Sequence, residues 1–152
     1  MRINTLGKKL AIAGSLIIGF LALITLVYLM VIAPSFVGKT GSDGASLKHY
    51  KEPKNLRQLT EQPNDEIWII DVRSAKAYNK GHIPTARSFP SSEIEDRLSE
   101  LPEDKYLIIY CETGGRVQVV VNKLAKHGYG RYMNWGGYTR WPYEFATGDG
   151  KL

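Results

Sequence analysis

The residues best suited to chemistry lie in one stretch, residues 106–121, "YLIIYCETGGRVQVVV", which contains the only cysteine of the chain, Cys111. If "YLIIY" is a buried strand and a helix follows, "CETGGR" is a strand-to-helix loop at the carboxyl edge of a sheet, where α/β folds bind ligands. Gly114 and Gly115 permit a positive φ, so that several N–H groups can point at one spot before the helix N-terminus. We expect such a loop to stabilise the Cys111 thiolate and any anionic sulfur attached to it.

Two features of this stretch have alternative interpretations. A lone cysteine can be an intermolecular disulfide partner, a reactive thiol or a buried apolar residue. The valines that follow favour a strand, and "TGG" could then be the turn of a β-hairpin. The helix is favoured because Val117, Val120, Val121 and Leu124 share one helical face and Gly128 can end the helix.

The rest of the chain alternates short apolar runs with helical patterns. "PKNLRQLTEQ" predicts a helix that begins at Pro53, and "EIWIIDV" predicts a strand buried on both faces that ends at Asp71. A brief strand is possible at residues 86–89, and "SSEIEDRLSEL" predicts a helix capped by Ser91 or Ser92. "YGRYMNW" predicts a further strand, followed by a turn and a closing short helix in "GGYTRWPYEFATG". This alternation predicts an α/β domain with a central, mostly parallel sheet flanked by helices.

Four motifs, in order, resemble those of a single rhodanese domain, the sulfurtransferase family. They are "DVR" at residues 71–73, "AYNKGHIPTARSFP", which is similar to the family's Tyr/Phe-x-x-Gly-His-Ile-x-x-Ala segment, the cysteine loop with its helix, and "GGYTRW", which is similar to a Gly-Gly-x-x-x-Trp segment. The resemblance runs from about residue 50 to the end of the chain, and we place the rhodanese-like domain at residues 47–152.

The resemblance implies sulfur transfer through Cys111. Its thiolate would attack a sulfane sulfur of thiosulfate, a polysulfide or a persulfide, and the loop residues Glu112, Thr113, Gly114, Gly115 and Arg116 would hold the resulting persulfide. The outer sulfur would then pass to cyanide, a thiol or an acceptor protein, without a metal or organic cofactor. Related phosphatases have a loop one residue longer, and the valine at position 117 disfavours that activity.

The supporting residues allow more than one role. Arg116 could orient the donor anion or pair with a carboxylate such as Asp71, which we interpret as a structural hydrogen-bond acceptor. Arg73 could pair with a carboxylate or contact substrate. Glu112 stands where many family members have a basic residue, so we expect thiosulfate to be a poor donor. The alternative function is a non-catalytic, rhodanese-like binding or regulatory module.

The histidines show no sign of a metal site. His49, His82 and His127 lack ligand spacing with Cys111, so no metal is expected, and His82 is interpreted as a turn residue that satisfies backbone groups.

The N-terminal part predicts a membrane anchor. Residues 10–33 carry no charge and would span about 36 Å as a helix, long enough to cross a bilayer. A cleaved secretory signal is the alternative. The basic flank, residues 1–9, predicts a cytoplasmic N-terminus and an extracytoplasmic (periplasmic) domain. The small, polar, glycine-rich stretch "VGKTGSDGAS" predicts a flexible linker, which we place at residues 34–46.

Charge gives little support to nucleic-acid binding. Three of the 20 Lys and Arg residues precede residue 10, so 17 basic residues face 15 acidic residues in the remainder. A basic patch is not required by this composition.

Overall fold

The computed structural model describes residues 19–24, 41 and 44–148. The chain divides into two compact units, Met1–Ser35 and Phe36–Leu152. Residues 19–24 are helical and exposed, whereas the rest of the predicted anchor and the flank before it lie outside the described residues. Within the ranges just given, no helix is both long and apolar enough to cross a membrane. The predicted linker is described only at residue 41 and from residue 44 onward.

Four parallel strands form the central sheet of the second unit. They are β1 (Ile67–Asp71), β2 (Arg87–Ser88), β3 (Tyr106–Cys111) and β4 (Tyr132–Gly137), in the order β2-β1-β3-β4. Each neighbouring pair is parallel. The predicted α/β architecture with a parallel sheet is confirmed, and the apolar runs in β1 and β3 form strands because helices and turns cover both faces.

The helices are α1 (Pro53–Glu61), α2 (Ala75–Lys80) and α3 (Gly115–Lys126). Helix α1 begins at Pro53, as predicted. Helix α3 buries the four predicted residues, Val117, Val120, Val121 and Leu124, so the helix is confirmed and the hairpin alternative is wrong. Helix α2 was not predicted; Ser74 caps it by accepting a hydrogen bond from the Ala77 N–H.

The helix predicted over "SSEIEDRLSEL" is wrong. Residues 91–97 form turns, and only Leu98–Glu100 makes a short 3-10 helix. Ile94 and Leu101 are buried as the pattern required. Arg97, however, donates to the carbonyl of Ser88 at 3.2 Å as well as to Glu100. Ser88, at the end of β2, lies outside the segment, so the helical spacing of the segment could not reveal this hydrogen bond. The predicted closing helix is likewise a single 3-10 turn, Tyr138–Arg140.

Two hydrophobic clusters cover the two faces of the sheet. Because successive strand residues point to opposite faces, Ile109 and Cys111 join the cluster that contains α3, whereas Ile108 and Tyr110 join the other. The other cluster also holds Leu47, Leu56, Trp135 and Trp141. The predicted nucleophile therefore lies at the end of a central strand, on the face covered by α3.

Candidate active site

Cys111 is the last residue of β3, and its side chain is almost fully buried, at 1% exposure. The loop turns back on it, so that the Gly114 N–H donates to Cys111 Sγ at 3.1 Å. Gly114 has a φ of 100°, which confirms the predicted positive φ at this position. The same prediction is wrong for Gly115, because α3 begins there and Gly115 is a helical residue.

The loop lies directly against the end of β4. A Cβ on Gly114 would be 3.0 Å from the Gly136 Cα, and a Cβ on Gly137 would be 2.4 Å from the backbone oxygen of Glu112. The distance at Gly137 is too short for any side chain, and the distance at Gly114 is tight. Gly137 is thus explained by close backbone approach to the cysteine loop, and Gly136 has a φ of 102°, which favours glycine.

A buried amide joins the same two segments. Asn134 in β4 is fully buried; its Nδ2 donates to the Gly114 carbonyl at 3.2 Å, and its Oδ1 accepts from the Gly136 N–H at 2.9 Å. The sequence analysis did not identify Asn134. The available signal was a single amide within the apolar run "YMNW" of a buried strand, since buried polar side chains require partners.

The side chain of Arg116 is exposed and makes no hydrogen bond or ion pair with another side chain or with the backbone in the described part of the chain. It lines an open cavity of about 190 Å³ with Val72, Ser74, Pro90, Ser91 and Ser92. The alternative in which Arg116 pairs with Asp71 is therefore wrong. Ser91 and Ser92, considered above as helix caps, instead contribute to a polar cavity beside the start of α3.

Asp71 and Arg73 form a buried ion pair after β1, with side-chain exposures of 0% and 3%. The Arg73 Nη2 donates to Asp71 Oδ2 at 2.7 Å, and the Arg73 backbone N–H donates to Oδ1 at 2.9 Å. Burial opposes the charged guanidinium, but the hydrogen bond and charge of Asp71 outweigh it and raise the pKa of Arg73, with a smaller contribution from Glu112. Asp71 is a structural acceptor here, as interpreted from the sequence.

The pair fixes the chain segment that follows α2. Arg73 Nη2 also donates to the Gly81 carbonyl at 2.6 Å, and its guanidinium lies 4.1 Å from the centre of the Tyr138 ring. Tyr110 accepts from the Ile83 N–H at 3.0 Å, and burial, followed by the charge of Asp71, raises the Tyr110 pKa. These contacts stabilise the corner after β1, by which we mean the chain segment with Asp71 and Arg73, on the face of the sheet opposite Cys111.

His82 contacts a backbone carbonyl, as its sequence context suggested, but it lies in an isolated β-bridge and not in the turn that follows at residues 84–85. It is buried, its Nδ1 lies 3.0 Å from the Tyr78 carbonyl oxygen, and its ring stacks on the Tyr78 ring at 3.8 Å. Its backbone bridges to Ala146. Across the residues that the structure describes, no group of three His, Cys, Asp or Glu side chains is arranged to hold a metal ion.

Fold and loop together define an α/β domain with a cysteine at the end of a buried strand, whose sulfur accepts a hydrogen bond from the Gly114 N–H of the loop before a helix. The model of the rhodanese-like domain family matches residues 52–143. The chain therefore belongs to the rhodanese-like domain family.

Named relatives are consistent with this assignment. A sulfurtransferase from Allochromatium vinosum is 35% identical over 78 residues, which cover 51% of this chain and 73% of the relative. The putative sulfur carrier protein YrkF from Bacillus subtilis is 32% identical over 71 residues, which cover 47% of this chain and 38% of the relative. The thiosulfate sulfurtransferase GlpE from Coxiella burnetii is 26% identical over 101 residues, which cover 66% of this chain and 94% of the relative.

Solved structures show the same fold. The single-domain sulfurtransferase RDL2 from Saccharomyces cerevisiae superposes with a TM-score of 0.53 at 26% identity, covering 59% of this chain and 84% of that chain. A rhodanese-like domain protein from Staphylococcus aureus gives a TM-score of 0.55 at 26% identity, covering 62% and 93%. These likenesses support sulfur transfer as the general class of chemistry.

Proposed function

We propose that this protein is a sulfurtransferase that moves a sulfane sulfur through a persulfide on Cys111. The observation that carries the proposal is the hydrogen bond from the Gly114 N–H to Cys111 Sγ at 3.1 Å. An N–H that already reaches the sulfur can stabilise it as a thiolate, and the N-terminus of α3 adds a favourable field for negative charge.

The transfer needs two displacements and no external oxidant or reductant. The Cys111 thiolate attacks the sulfane sulfur of the donor, an S–S bond forms on Cys111, and sulfite or a thiolate leaves with the electron pair of the broken bond. An acceptor nucleophile, cyanide or a thiolate, then attacks the outer sulfur, and the Cys111 thiolate is the leaving group. Each cycle therefore returns Cys111 to its starting state.

The donor site in this proposal is the cavity beside Arg116. Its three serines, and an Arg116 guanidinium without a partner among the described residues, suit the anionic end of thiosulfate, a polysulfide or an organic persulfide. The near-complete burial of Cys111 favours a sulfur at the end of a narrow chain over a hindered one. The acceptor is a small thiol, cyanide or an acceptor protein, and the naming of YrkF as a putative sulfur carrier protein lends support to the last of these.

We further propose that residues 10–33 anchor the domain to a membrane with the N-terminus in the cytoplasm. The support is the uncharged length of this segment and its basic flank. Deletion of residues 10–33 should move the protein from the membrane fraction of expressing cells to the soluble fraction. A full chain that is extracted by high salt alone would contradict the anchor.

Intact-mass measurement tests the transfer itself. The full-length protein is incubated separately with thiosulfate, a polysulfide and an organic persulfide, beside a Cys111→Ser control. We expect a gain of one sulfur atom that is lost on adding cyanide and is absent from the control. If a folded protein forms no adduct with any of these donors, the proposal is overturned in favour of the non-catalytic binding module.

A further inference from the structure

Asn134 connects β4 to the cysteine loop through one backbone peptide. The carbonyl of Gly114 accepts from Asn134 Nδ2 at 3.2 Å and from the Gln118 N–H at 3.2 Å. The N–H of the same Gly114 donates to Cys111 Sγ. Both sides of Gly114 are therefore engaged, one with the sulfur and the other with the interior of the domain.

The fixed carbonyl determines the direction of the next N–H. In a trans peptide the C=O of one residue and the N–H of the next point in opposite directions, and this domain has no cis peptide among its described residues. The Gly115 N–H thus points away from Asn134. Gly115 is exposed, and an added Cβ would meet no heavy atom within 4 Å, so its surroundings are open. As a first-turn donor of α3, this N–H has no partner within the helix.

We infer that Asn134 is a positioning residue for sulfur transfer. By holding the Gly114 carbonyl, it keeps the Gly115 N–H, which belongs to the same planar peptide, directed toward the open side of the loop. Negative charge moves to the outer sulfur while the persulfide forms and breaks, and fixed donors stabilise such charge without reorganising. Asn134 touches no reacting atom and acts only through the Gly114–Gly115 peptide.

An asparagine suits this position because its amide is both donor and acceptor. The pairing of β3 with β4 shifts between Ile109 and Tyr110, so that Ile109 pairs with Asn134 and Tyr110 pairs with Gly136. Asn134 Oδ1 accepts the Gly136 N–H across this irregularity, which leaves Nδ2 for Gly114. An aspartate at position 134 could still accept from the Gly136 N–H, but its other oxygen would face the Gly114 carbonyl, and both are acceptors. An alanine would lose both hydrogen bonds.

The inference rests on the proposed sulfur transfer, and its test compares Asn134→Asp and Asn134→Ala with Met133→Ala in the full-length protein. Met133 is the preceding residue of β4, is also fully buried, and packs in the cluster on the face opposite Cys111. Met133→Ala therefore destabilises the domain without removing a bond to the loop. The readouts are thermal unfolding, kcat and KM for sulfur transfer to cyanide, and hydrogen exchange of the peptide that contains residues 112–118.

We expect both Asn134 variants to lower kcat about tenfold, the effect of weakening one hydrogen bond to a charged group, with KM changed less than about twofold. Exchange in residues 112–118 should accelerate in both. In Met133→Ala, kcat should stay within about twofold of the wild type at temperatures where the protein is folded, although its midpoint of unfolding falls.

The outcomes separate this inference from the proposed function. Sulfur transfer that is present in the wild type and undiminished in the Asn134 variants overturns the inference alone. An equal loss of kcat in Met133→Ala also overturns it, because the effect would then follow stability. A wild-type protein that forms no persulfide overturns the proposed function, and the positioning role with it.

Discussion

Two corners at the same edge of the sheet use charge in different ways. The corner after β1 contains Asp71 and Arg73, whose charged groups are buried and hydrogen-bonded to each other and to the backbone. The loop after β3 contains Cys111 and Arg116, and the charge of Arg116 is exposed and without a partner among the described residues. Both corners follow a buried parallel strand, the usual position of ligand sites in α/β folds.

The difference shows that a residue at the carboxyl edge of the sheet does not bind ligands merely because of its position. A guanidinium that already donates to a carboxylate and a carbonyl could bind a ligand only by losing those bonds, which is costly in a buried setting. The corner after β1 therefore stabilises the turn at Gly81. The loop after β3 retains the Arg116 guanidinium, which has no partner among the described residues, and it is the part that we propose binds an anion.

The largest effect should come from breaking the buried pair. Asp71→Ala leaves the Arg73 guanidinium buried without its partner, and we expect a loss of about 3–5 kcal/mol in the free energy of unfolding, measured by urea denaturation. Replacing both residues, as Asp71→Leu with Arg73→Met, should recover much of that loss. Glu100→Ala, which breaks a surface pair with Arg97, is the matched control and should have little effect. If Asp71→Ala has as little effect as this control, the structural role of the corner is wrong.

The two glycines of the loop should differ in how much their substitution changes the free energy of unfolding, and this effect should be of intermediate size. Gly114→Ala forces a non-glycine residue to a φ of 100° with its Cβ 3.0 Å from the Gly136 Cα, so we expect destabilisation of about 1–3 kcal/mol. Gly115→Ala adds a Cβ in open space at the start of a helix and should be neutral or stabilising by up to about 1 kcal/mol. Denaturation of the two variants side by side is the measurement. Equal losses would show that the curl does not depend on Gly114 alone.

The smallest effects should come from the charges of the loop, and they should appear in kinetics rather than stability. Arg116→Gln should raise KM for an anionic sulfur donor about fivefold, since an exposed charge contributes modestly. Glu112→Gln should lower KM for thiosulfate about twofold because it removes a repulsive charge. Steady-state rates at several donor concentrations measure both, and the thermal midpoint should not change. A KM for thiosulfate that is unchanged in Glu112→Gln would contradict our expectation that this carboxylate makes thiosulfate a poor donor.

The sequence predicted some strands and helices well and others poorly, and the reasons are physical. Strands β1 and β3 were predictable because each is a continuous apolar run, and helix α3 because its apolar residues recur at helical spacing. Helix α1 was predictable because Pro53 stands at its start. The turns after Pro90 were not predictable, because the apolar spacing of that segment also fits a helix. The hydrogen bond from Arg97 to the Ser88 carbonyl, which holds the turns, is not visible in that spacing. Helix α2, with six residues, is too short for a pattern to stand out.

The sequence by itself determined the cysteine loop, its six residues from Cys111 to Arg116 and the need for a positive φ within its glycine pair, because these are local properties of chain chemistry. The structure places that φ at Gly114 and not at Gly115. Only the tertiary structure decided which charges are paired, that Arg116 rather than Arg73 remains available, and that Asn134 and Gly137 of β4 support the loop. Those decisions arise from contacts between strands far apart in the sequence. No local pattern in the sequence encodes such contacts, because they exist only once β3 and β4 lie side by side.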